Sequence, residues 1–99
     1  MNTETVSFDS ASHSVDAVQR AAYRLSDRAS FEIVDAQGVI AVTVSPLTED
    51  GDLAELIADL RTEVLDQVLR ERIRAETADV RNLVLALAFS RTGLAETHE

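Results

Sequence analysis

Three groups of residues in this chain carry side chains that could do chemistry. His13 stands among Ser10, Ser12 and Ser14, which puts an imidazole near hydroxyls and raises the question of nucleophilic or metal chemistry. Neither is completed. A metal site needs several converging ligands, and the one other histidine, His98, lies far off near the C-terminus. A serine nucleophile needs a base held by a third group and an oxyanion site as well, so the alternating serines read as a loop that caps a helix. The second group is acidic: Glu49, Asp50, Asp52, Glu55, Asp59 and Glu63. A catalytic pair of carboxylates requires burial to split its pKa values, and acids spread along a helix face are expected to solvate it. The third group, Asp66 to Arg74, gathers Arg70, Arg72 and Arg74 with Glu71 and Glu76 over two turns. Asp66 and Arg70 are spaced i, i+4 in the favourable acid-first order. Exposed pairs of this kind contribute only about 0.3–0.5 kcal/mol each, so stability alone is a weak reason to concentrate them. This segment, with Arg81 and Asn82 beyond it, reads either as a solvated helix face or as a binding surface, and it is the expected partner contact.

Composition narrows the function classes. The 99 residues suit one domain, with residues 1–4 and 94–99 expected to be disordered tails. Eighteen acidic against nine basic side chains give a net charge of −9, which repels phosphate backbones and anionic headgroups and argues against nucleic-acid and membrane partners. There is no cysteine, so thiolate nucleophiles, disulfides and cysteine-ligated clusters are excluded from this chain, and no cofactor is expected. Residues 1–12 lack the pattern of a secretory signal, which makes the cytoplasm the expected compartment.

The elements follow from hydrophobic period. Thr5 to Asp9 alternates, with Val6 and Phe8 on one face, as a half-buried strand does. Ser14 precedes a helix expected over Val15 to Asp27, with Asp16 in its first turn and Val18, Ala21, Ala22 and Leu25 at helical spacing. Phe31 to Asp35 and Val39 to Ser45 flank Ala36-Gln37-Gly38 and read as a hairpin, with Pro46 to Gly51 as the loop that follows. From Asp52 a helix is expected, with Leu53, Leu56, Ile57, Leu60 and Val64 on one stripe. Beyond Val64 the stripe rotates to Leu65, Val68, Leu69 and Ile73, which implies a second neighbour. Thr77 with Asp79 signals a further helix running to Gly93, with Leu83 to Phe89 enclosed on most sides and Phe89 in the core. The fold class is therefore α+β, in the order β-α-β-β-α-α: a split βαβ arrangement with a small three-stranded sheet and helices packed on one face. The open face carries Thr5, Ser7, Glu32 and Thr43 beside apolar Val34, Val39 and Ala41, a candidate surface for homodimerisation.

Val64-Leu65-Asp66-Gln67-Val68-Leu69-Arg70-Glu71-Arg72-Ile73, with Arg81-Asn82-Leu83 and Ala86-Leu87-Ala88-Phe89-Ser90, resembles the His-Xaa-Ser system protein HxsD family. Ala21-Ala22-Tyr23 and Leu25-Ser26-Asp27-Arg28-Ala29 resemble that family's first-helix region, so the likeness runs from Ser14 to Gly93. Of the family's Asn-Asp-Tyr-x-Leu-Arg-Glu core, Asp66, Leu69, Arg70 and Glu71 match, while Leu65 and Gln67 stand where the Asn and Tyr would be. The resemblance implies a small accessory protein of a bacterial peptide-modification system. Its partners would be a radical S-adenosylmethionine maturase or a protein with His-Xaa-Ser repeats. It implies no catalytic residue, and the radical chemistry would belong to a partner. The expectation is a noncatalytic binding protein; the alternative is an obligate homo-oligomer without a specific foreign partner, closed by the open hairpin face and the rotated stripe.

Overall fold

Alternating apolar side chains can be buried on one face only if the strands share a register, and three strands here do so. A computed structural model describes the backbone of residues 2–92 and the side chains of residues 2–88. Strands β1 (Glu4–Asp9), β2 (Ala29–Ala36) and β3 (Val39–Pro46) form a sheet in the order β1-β3-β2, with both ladders antiparallel. β1 and β2 are thus parallel to each other with β3 inserted between them, which is the split βαβ arrangement. β1 starts one residue before the expected Thr5, because Glu4 pairs with Val44. On the inner face Val42 lies opposite Val6 on one side and Ile33 on the other, and Ile40 and Val44 repeat the pattern beside Phe8 and Phe31. The β2–β3 turn places both Gln37 (φ 57) and Gly38 (φ 80) in the left-handed region, the geometry of a two-residue turn that matches strand twist. Gln37 therefore shares a conformation that glycine alone adopts without cost.

Helix α1 (Val15–Arg24) begins where Ser14 Oγ accepts the Ala17 amide at 2.9 Å, as the sequence pattern required. It ends three residues short of Asp27, with the Leu25 amide closing on the Ala22 carbonyl. Helix α2 (Leu53–Thr92) begins under Asp52, whose Oδ1 accepts the Glu55 amide. The chain divides into two compact units, Met1–Leu69 and Arg70–Glu99. In the first, α1 gives Val18 and Ala21, the sheet gives Val6, Phe8, Ile40, Val42 and Val44, and α2 gives Leu56, Ile57, Leu60 and Val64 to one core. Both helices cover the same sheet face. On the other face Thr5 and Thr43 hydroxyls meet at 3.0 Å, and Val34 and Val39 are exposed.

The second unit differs from expectation in two ways. There is no break at Thr77: α2 is a single 40-residue helix, so the order is β-α-β-β-α. No glycine or proline occurs between Asp52 and Thr92, and Thr and Asp inside a helix cost only a few tenths of a kcal/mol, up to about 0.7, relative to alanine. Nor is the described part of the Leu83 to Phe89 run, Leu83 to Ala88, enclosed. Leu83 is 61% exposed, and Val84, Leu85 and Leu87 are exposed as well, and residues 70–92 hold no second element to bury them against. The side chain of Phe89, the helix end at Gly93 and the tail 94–99 lie outside the described residues.

Leu60 is fully buried at the centre of the first unit's core. Leu60→Ala is expected to lower unfolding stability by about 2–5 kcal/mol in urea denaturation, the range for a cavity left by a buried leucine.

Candidate functional site

The polar residues of the first unit are arranged by the two helices. Glu55, Asp59 and Glu63 recur at intervals of four on α2, next to core residues Leu56, Leu60 and Val64, so they line one edge of its buried stripe. Arg24 Nε donates to Glu63 Oε2 at 2.8 Å, and Arg28 Nη1 to Asp59 Oδ2 at 2.8 Å, with Glu55 further off at 4.0 Å. These acids are therefore partners of arginines on and after α1, and do more than solvate a helix face as their spread had suggested. The signal was present in the four-residue spacing of both sets, but only the packing of α1 beside α2 turns it into contacts. Gln67, 6% exposed, donates its amide to Glu63 Oε2 at 3.2 Å.

His13 is half-buried, with Nδ1 3.0 Å from both the Asp9 carbonyl and the Ser12 hydroxyl, and its ring 5.2 Å from that of Phe8. Asp9 Oδ1 also accepts the Ala11 amide. The cluster thus closes the β1–α1 turn, and Ser14 is occupied as the helix cap. Among the described residues no three His, Cys, Asp or Glu side chains converge as metal ligands.

All six expected partner-binding residues lie on α2. Asp66 belongs to the first unit and is half-buried, while Arg70, Glu71, Arg74, Arg81 and Asn82 belong to the second. None of Asp66, Arg70 and Glu71 is without a partner. At 100° per residue Arg70, Arg74 and Arg81 fall within a sector of about 40°, with Glu71 and Asn82 on the sector beside it. Opposite, Ile73, Val80, Leu83, Val84 and Leu87 occupy about 100° and are all exposed. Residues 70–92 carry five arginines (70, 72, 74, 81 and 91) against Glu71, Glu76 and Asp79, a net of +2. Residues 1–69 carry four arginines against thirteen carboxylates, a net of −9. The sequence reading, which took the charge of the chain whole, missed this division.

A second feature went unread in the sequence. β2 is an edge strand, and beside it a shallow concavity of about 370 Å³ is lined by Ala22 and Tyr23 of α1, Phe31 and Ile33 of β2, and Leu47. Tyr23 is 80% exposed there. Among the described residues no helix is long and apolar enough to cross a membrane.

The family model for His-Xaa-Ser system protein HxsD matches residues 8–95. No curated protein and no solved structure is similar enough to match.

Glu63 holds both Arg24 and the buried Gln67 amide. Glu63→Ala is expected to cost about 1–3 kcal/mol by leaving that amide unsatisfied, and adding Gln67→Leu to restore most of it. Urea denaturation of the two variants checks this; equal stability losses in both would place the cost in the arginine pair instead.

Proposed function

The chain belongs to the His-Xaa-Ser system protein HxsD family, and from that premise we propose that it is a noncatalytic binding component of the His-Xaa-Ser system. Its partner is the radical S-adenosylmethionine protein or the His-Xaa-Ser repeat protein of that system, met through the polar face of residues 70–82. One observation carries the reading. Arg70, Arg74 and Arg81 line up on one sector of the net-positive helical segment of a protein that is otherwise strongly acidic. A fork-capable arginine row of this kind is suited to carboxylates on a partner surface. Reversing charge with Arg70→Glu and Glu71→Arg together is expected to abolish copurification with the partner when the system's proteins are coexpressed. The circular dichroism spectrum and melting temperature should stay nearly unchanged, because neither residue belongs to the core. A parallel loss of folding would make the segment structural.

The exposed stripe of Ile73, Val80, Leu83, Val84 and Leu87 favours a second reading, self-association. Isolated apolar residues on a surface are ordinary, but five on one helical face are not. On this reading the protein sediments as a dimer at micromolar concentration, and Ile73→Asp with Leu83→Asp converts it to a monomer. A monomeric parent protein dismisses it. The arginine row and the stripe occupy different sectors, so copurification and sedimentation test them separately.

A further inference from the structure

We propose that the free edge of β2 takes up an extended peptide carrying a His-Xaa-Ser triplet, as an added strand lying between β2 and α1. The inference rests on the reading above, that the protein is a binding component of the His-Xaa-Ser system, and adds where and how the triplet is read.

β2 runs for eight residues and, among the described residues, pairs only with β3, so one row of its backbone N–H and C=O groups faces outward. Neither lysine nor proline nor a shortened strand blunts that edge; its charged residues are Glu32 and Asp35, which guard against acidic strands and leave others free to add. Main-chain pairing supplies affinity to a strand laid there, and pockets for alternate side chains supply selection. Such a pocket is present. Phe31 and Ile33, two residues apart on β2, both line the concavity with Tyr23 and Leu47.

The period of a strand then decides which residues of the peptide are read. Side chains at i and i+2 share a face, about 6.6 Å apart, while the one between them points away. In an added strand the histidine and serine of a His-Xaa-Ser triplet therefore lie together alongside Phe31 and Ile33, and the middle residue faces out, free to vary. The imidazole meets the exposed Tyr23 ring, and the serine hydroxyl meets the polar rim of Gln19, Ser26 and Ser30.

Charge selects a histidine-bearing peptide over a second copy of this chain. The unit Met1–Leu69 carries a net of −9, with Glu32 and Asp35 on β2 itself. The two arginines on α1 are already neutralised, Arg20 by Asp16 at 2.9 Å and Arg24 by Glu63. An identical acidic edge is repelled, while a segment bearing imidazoles brings no negative charge and is attracted to the extent that they protonate, below about pH 6.5.

The test is fluorescence anisotropy of a labelled synthetic peptide with two His-Xaa-Ser triplets, titrated with the full chain. Saturable binding is expected, at least tenfold weaker for a peptide respaced to His-Xaa-Xaa-Ser and at least tenfold weaker for a Tyr23→Ala, Leu47→Asp variant with unchanged circular dichroism. Both substituted side chains are exposed, so the fold should persist. Hydrogen exchange should show new protection of amides within residues 29–36. Absent binding, equal affinity for the two spacings, or protection confined to other elements overturns the proposal. A protein that copurifies through Arg70 yet ignores the peptide loses only this inference, and one that binds the peptide while its copurification survives the exchange at Arg70 and Glu71 loses only the arginine-face reading.

Discussion

Everything in the first unit depends on covering one face of β3. Ile40, Val42 and Val44 have no remaining exposure, and because β3 is the central strand, each is flanked on both sides by residues of β1 and β2. A three-stranded sheet cannot shield such a face by itself. It is shielded by α1, which contributes small residues and so approaches closely, and by α2, which contributes Leu56, Leu60 and Val64. The positions of Tyr23 at the β2 edge and of the acid row on α2 follow from that packing.

Local signals were legible in the sequence because local chemistry sets them. The Ser14 cap, the two-residue period of Val6 and Phe8, and the hairpin around Gly38 each depend on neighbours within a few residues. Their boundaries held to within a few residues. The helix start read at Thr77 failed for the complementary reason: a cap marks an end only if something stops the helix arriving from the other side, and nothing between Asp52 and Thr92 does so. A different limit applies to Leu83 through Leu87. An apolar run states that burial is favourable, but not whether the covering surface comes from the same chain.

The candidate sites were legible in the same partial way. Arg70 and Arg74 could be placed on one helix from spacing, but Arg81 joins them only because the helix does not stop at Thr77, and their contrast with the rest of the chain shows only when charge is counted by unit. The Arg24–Glu63 and Arg28–Asp59 pairs needed the α1–α2 packing before the four-residue spacing acquired meaning. The split βαβ reading implied an edge strand, but the concavity beside β2 needed the placement of Tyr23 and Leu47 against Phe31 and Ile33, which no local spacing gives.

Separation of charge between the units bears on the binding role proposed above. The absence of cysteine means this chain can ligate no thiolate-bound cluster, and on the function proposed above its contribution lies in which molecules it holds together. A uniformly acidic protein would favour cationic partners everywhere on its surface and could not distinguish two of them by charge. With a net of −9 over residues 1–69 and +2 over residues 70–92, the two units favour partners of opposite character. On the function and inference proposed above, one would retain a histidine-bearing segment while the other engages a carboxylate-rich surface. Linking two such binding events through one chain would raise the effective concentration of each partner for the other, a gain that requires no catalytic group in the linking protein.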